Sequence, residues 1–132
     1  MTSSDDRHRR GNEAMTRIHG TRGQGYVSAL AKFAPDFAAM LVDFGYGDIY
    51  ARPGLDAKSR QFVTIAALTA LGDTKHELTI HIRSALEIGC TRAEVIEVIM
   101  QMAVYAGFPR ALAALSAARA AFDEADAAAA TP

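Results

Sequence analysis

The chain has 132 residues, half of them hydrophobic and 22% charged, with 14 basic and 15 acidic side chains and a net charge of -1. This length and balance suit one ordinary hydrophobic core and exclude the basic face of a nucleic-acid-binding protein. No apolar run approaches the ~20 residues of a membrane span, and the single cysteine, Cys90, cannot close an internal disulfide. The start of the chain lacks the apolar segment of a signal peptide, so the expected location is the cytoplasm.

Residues 1–11, MTSSDDRHRRG, read as a flexible polar tail whose Arg7, Arg9 and Arg10 are solvated. Helices are expected over about 12–18, ending near Gly20, over 25–33 and over 35–44, where Pro35 suits a first helical turn. The stretch GYGDIYARPGL, residues 45–55, carries too many glycines, and a Pro53-Gly54 pair, for a regular helix. Asp56 can cap a helix over 57–71 that Gly72 ends. Val63, Ala66, Ala67 and Ala70 recur there at helical spacing, with Phe62, Ile65 and Thr69 extending the apolar surface. The next helix carries Glu77 and His81 and stops at Gly89. Thr91 and Glu94 have the spacing of a capping box for a helix over about 92–105, with an apolar stripe of Val95, Val98, Ile99, Met102 and Ala106. Gly107 and Pro109 interrupt the chain before an alanine-rich helix over 110–125, and residues 126–132 are expected to fray. The fold class is therefore all-α, about six helices in one domain over 12–125. Its apolar surface exceeds what one domain of this size buries, which points to a homo-oligomer.

Within this frame the most informative stretch is TKHELTIHIRSALEI, residues 74–88. Glu77 and His81 stand four apart, one helical turn, so a carboxylate and an imidazole share one stripe. A carboxylate orients and tunes an imidazole, and a tuned imidazole transfers protons near neutral pH. Taken alone, His81 is either a packed histidine with a satisfied hydrogen bond or a pocket residue, and Glu77 is either its orienter or a solvated acid. His76 and His81 are five apart, a rotation of roughly 140° that points the imidazoles away from each other, unlike the zinc-binding HExxH pattern. No metal is expected. Cys90 has no CxxC partner and reads as a small semi-buried residue. Arg52, Arg60 and Arg83 lie in or beside the apolar middle of the chain; each is either a surface or ion-paired arginine or a bidentate clamp for a small carboxylate.

These residues, in this order, resemble the carboxymuconolactone decarboxylase family. The resemblance rests on Arg52-Pro53-Gly54-Leu55, on Arg60 with Thr64-Ile65-Ala66, on Glu77 with His81, on Gly89-Cys90-Thr91-Arg92 with Glu94, and on Tyr105, Gly107 and Pro109. It covers about residues 12–122. The resemblance implies an alkyl hydroperoxidase D-like helical fold and a ring-like trimer or hexamer. It also implies a cofactor-free active site between subunits, with His81 as the proton-transfer residue, and the decarboxylation of 4-carboxymuconolactone in aromatic catabolism. Glu77 would assist His81, and Arg52, Arg60, Arg83 and Tyr105 would bind substrate. The alkyl hydroperoxidase D branch carries a CxxC one turn before the histidine; residues 77–80 hold no cysteine, which argues against thiol peroxidase chemistry. Decarboxylases of the type reaction carry a further histidine in the last helix near Ser116, where this chain reads ALAALSAARAAF. Two other readings therefore stay open: a different lyase, isomerase or cyclase on this scaffold, and a non-catalytic helical oligomer that binds a small ligand or partner.

Overall fold

Small residues decide where these helices bend and how closely they approach. The structure, a computed structural model, describes residues 3–131. It contains α1 (Ser4–Phe33), α2 (Pro35–Met40), a π-helical segment (Leu41–Tyr50), α3 (Ala57–Leu71), α4 (Lys75–Glu87), α5 (Arg92–Ala106) and α6 (Phe108–Ala130). Among the described residues there is no strand, and no helix is long and apolar enough to cross a membrane. The all-α expectation therefore holds. The chain divides into two compact units, Met1–Ala57 and Lys58–Pro132.

In the first unit, the two helices expected over 12–18 and 25–33 form one run, kinked at Gly20, whose φ of 60° and ψ of -146° only glycine adopts without strain. Residues 4–11, expected as a flexible tail, are helical. The Ser3 side chain accepts a hydrogen bond from the Asp6 backbone N–H, and the arginines are not merely solvated. Arg7 forks onto Asp48, with Nη2 2.5 Å from Oδ2, and holds that carboxyl below the usual carboxylate range. Arg10 donates to the Gly47 carbonyl at 3.2 Å and pairs with Asp6. Their target is the stretch read as a break. Residues 41–50 instead form a wide helix, in which the Ala51 N–H reaches back five residues to the Tyr46 carbonyl at 2.9 Å. Of the glycines that argued against a regular helix, Gly47 permits close approach to α1, since a Cβ there would lie 2.7 Å from the Arg7 carbonyl oxygen. Beneath the contact lie Ala14, Met15, Ile18 and Tyr46, with a 2.8 Å hydrogen bond joining His19 and Tyr46.

The second unit is built on the alanines of α6. Ala111, Ala114, Ala117, Ala118 and Ala121 are buried on one face, and α4 and α5 pack against that helix. Ile65 of α3, Leu78 and Ile82 of α4, and Val95 and Ile99 of α5 complete the core, which also takes up Cys90. The capping box forms as expected: the Glu94 N–H donates to Thr91 Oγ1 at 3.0 Å, and the Thr91 N–H donates to Glu94 Oε1 at 2.9 Å. The helix expected to end at residue 125 continues to Ala130, because Arg92 pairs with Asp126 and stacks on Phe122, 5.0 Å from the ring centre. On α3 the buried stripe differs from expectation. Val63 is 60% exposed, and Ala67 and Ala70 are also exposed, whereas Gln61, Ile65 and Thr69 are buried. Apolar residues occupy several sides of this helix, so spacing alone could not choose the inward one. Thr69 tolerates burial because its hydroxyl donates to the Ile65 carbonyl at 2.7 Å.

Gly11 marks the tightest approach in the first unit, where a Cβ would lie 2.3 Å from the Val42 carbonyl oxygen. Gly11→Ala is expected to cost about 1–3 kcal/mol, read as a lower urea midpoint, because a backbone atom must shift. Gly25→Ala, whose Cβ would meet open space, is the control and should leave the midpoint unchanged or slightly raised. An unchanged midpoint for Gly11→Ala would show that α1 does not press on the π-helical segment.

Candidate functional site

Helix α4 places His81 between buried neighbours. Leu78, Ile82, Ser84 and Ala85 are buried, and at 100° per residue His81 falls within the arc from Ser84 to Ala85. The sequence put His81 at the border of the apolar face; the burial of Ser84 moves that border outward. His81 is partly exposed, and its Nδ1 lies 3.2 Å from Oε1 of Gln61, which projects from the buried stripe of α3. An amide oxygen only accepts, so this contact places a proton on Nδ1 and leaves Nε2 as the basic nitrogen.

Desolvation pushes the His81 pKa down to about 4, against a smaller upward pull from the negative charge of Glu77. The ring is thus neutral at pH 7. Glu77 is exposed, one turn from His81 in the first turn of α4. It acts on the ring as a charge, while Gln61 makes the Nδ1 hydrogen bond. Sequence reasoning missed Gln61. The signal was there, since a glutamine sits four residues before Ile65 and eight before Thr69 on one stripe of a mostly apolar helix.

The other expected site residues are spread more widely. Arg60 is half-buried on α3, directly before Gln61. Arg83 is two residues past His81, roughly 160° away around α4, and so faces the other side of the helix. There it pairs with Glu124 of α6 at 3.2 Å and with Glu87 at 3.7 Å, so carboxylates of the chain itself already occupy its guanidinium. Tyr105 is 78% exposed on α5. Arg52 is exposed in the first unit, just past the π-helical segment, with its backbone N–H bonded to the Ile49 carbonyl at 3.1 Å. Ser116, on α6, accepts a hydrogen bond from Lys75 Nζ at 3.4 Å. The arrangement can move a proton at His81 Nε2, with the tautomer fixed from behind by a neutral amide.

A pH dependence of stability follows. The folded-state pKa of His81 lies below its unfolded value of about 6.5, so between the two the unfolded chain binds a proton that the folded chain refuses. Stability should fall as pH drops from about 6.5 to about 4, by at most about 1.4 kcal/mol per pH unit, and this component should level off below that window. His81→Gln should remove it, which urea titrations at several pH values will read as a smaller wild-type-minus-variant difference at pH 5 than at pH 7. Equal differences at both pH values would contradict a desolvated His81. The carboxyls held low by their partners, Asp48 and Asp126, contribute stability that is lost only at more acid pH.

Comparison with known proteins bears on this geometry. The chain is 33% identical over 123 residues to 4-carboxymuconolactone decarboxylase of Acinetobacter baylyi, covering 92% of this chain and 91% of that protein. It is 35% identical over 101 residues to an uncharacterised 15.0 kDa protein of Paracoccus denitrificans, covering 76% and 75% of the two. It is 29% identical over 119 residues to the nitrosuccinic acid decarboxylase of Metarhizium robertsii, covering 86% and 82%. The model of the carboxymuconolactone decarboxylase family matches residues 35–120, a span that includes α2 to α5, most of α6, and both Gln61 and His81. The chain belongs to the carboxymuconolactone decarboxylase family.

Proposed function

We propose that the protein is a cofactor-free decarboxylase in which His81 transfers the proton, acting on 4-carboxymuconolactone or an analogue that pairs a carboxylate with its own electron sink. A decarboxylase-type function is supported by the family and by two relatives named for decarboxylation. The two named substrates share one chemical property. A carboxylate conjugated through a lactone, or a carboxylate beside a nitro group, can lose CO2 because the departing electron pair is delocalised onto substrate oxygen. Such a substrate needs no pyridoxal or thiamine to hold the pair. The observation that carries the reading is the His81 imidazole at the buried edge of α4 with its Nδ1 3.2 Å from Gln61 Oε1, a residue type able to deliver a proton to carbon.

The steps balance as follows. The C–C bond to the carboxylate breaks, CO2 leaves, and the pair moves onto the sink oxygen. His81, which takes up a solvent proton when the substrate anion raises its basicity, gives that proton to carbon and returns to the neutral form. Arg60, half-buried beside Gln61, is assigned to a carboxylate that stays on the substrate. Arg83, held by Glu124 and Glu87, is assigned to structure rather than to clamping. Apolar surroundings favour the loss of charge from the scissile carboxylate.

Self-association belongs to the same proposal. Met100, Val104, Phe108 and Leu112 recur every four residues across the α5–α6 corner, each more than half exposed, next to Tyr105. Exposed apolar rows of this kind mark association surfaces, and a second subunit over this corner would bring Tyr105 out of solvent.

CO2 release should be measured with 4-carboxymuconolactone and with nitrosuccinate. His81→Ala is expected to lose about 10^2–10^4-fold in kcat on whichever substrate the wild type turns over, with a smaller loss for Glu77→Gln. Near-native rates in His81→Ala would sink the assignment. Light scattering should show a multimer for the wild type and a smaller species for Val104→Glu combined with Phe108→Glu; a wild-type monomer would contradict the association surface.

A further inference from the structure

We propose that Gln61 is the positioning residue of His81 and that its free amide end binds the anionic oxygen that develops on the electron sink. The side chain is completely buried, yet only one end of its amide is used. Oε1 faces His81 Nδ1 at 3.2 Å, while Nε2 is buried with no hydrogen-bond partner among the described residues. A buried amide N–H left unpaired costs its full desolvation, and a leucine or methionine would continue the stripe toward Ile65 without that cost. The position therefore keeps a donor that the folded chain does not itself use. An oxygen reaching that donor lies one amide group away from the imidazole. A neutral N–H suits an oxygen that gains charge as CO2 leaves, since it strengthens as the charge develops and adds no net charge beside His81. A glutamate here would do the opposite. It could still accept from Nδ1, but it would offer no donor and would draw a second proton onto the imidazole. Gln61 thus joins two tasks in one planar group: its oxygen fixes which nitrogen of His81 works, and its nitrogen marks where the sink oxygen sits.

The oxyanion half rests on the decarboxylase reading, so the test separates the two. His81 is titrated by NMR in the wild type and in Gln61→Glu, without any substrate. A rise of at least one pH unit in the midpoint is expected, and an unchanged midpoint would overturn the positioning role. Binding of the nitronate of 3-nitropropanoate, a stable anion with its charge on sink oxygens, is then measured by calorimetry. Gln61→Met and Gln61→Leu should weaken it at least tenfold with the fold intact by circular dichroism. Equal binding in both variants, or no binding to the wild type, would overturn the donor role. If one of these two variants fails to fold, the other carries the comparison. Where CO2 is released, Gln61→Met should lower kcat about 10^2–10^3-fold with KM nearly unchanged. Intact titration and nitronate responses without CO2 release from either substrate would refute the decarboxylase reading and leave the role of Gln61 standing.

Discussion

A neutral imidazole inside an apolar helix face needs a partner that is itself neutral, because desolvation penalises every charge placed there. Gln61 meets that need for His81, and the core of the second unit sets the register of the two helices that carry the pair. Helix α4 sits where the alanines of α6 let it approach closely, and α3 is fixed by Ile65 in the shared core. Four residues before Ile65, the Gln61 side chain leaves the same stripe and meets the ring. A displacement of α3 by one residue would rotate Gln61 by about 100° and remove it from the imidazole.

The charged side chains of each unit are paired within that unit. Arg83 and Arg92 reach α6 through Glu124 and Asp126, and Arg7 and Arg10 act within the first unit on Asp48 and Gly47. These are exposed or half-exposed pairs, each a modest stabiliser on its own. Glu77 pulls the His81 pKa upward, but less than burial pushes it down. The ring is thereby kept neutral in the free chain.

The legible parts of the sequence were those where local chemistry decides. The capping box at Thr91 and Glu94, the span of α3 and the inward stripe of α5 follow from spacing alone. Glu77 and His81 were visible because one helical turn separates them. Three features were illegible for physical reasons. The π-helical segment packs against α1 at Val42 and Gly47, a contact that local propensity does not contain. The helical start of α1 draws on arginines whose partners lie some forty residues away, a pairing that no local window contains. Gln61 meets His81 across 20 residues of chain, and an apolar-all-round α3 hid which side faced inward.

Burial of His81 and its contact with Gln61 Oε1 together call for a neutral imidazole protonated on Nδ1. Nitrogen-15 NMR of the imidazole in the intact protein reads both properties directly. A neutral ring at pH 7, with the proton on Nδ1 and a titration midpoint near 4, is the expected result. A midpoint near the ordinary histidine value of about 6.5, or a neutral ring protonated on Nε2, would contradict it.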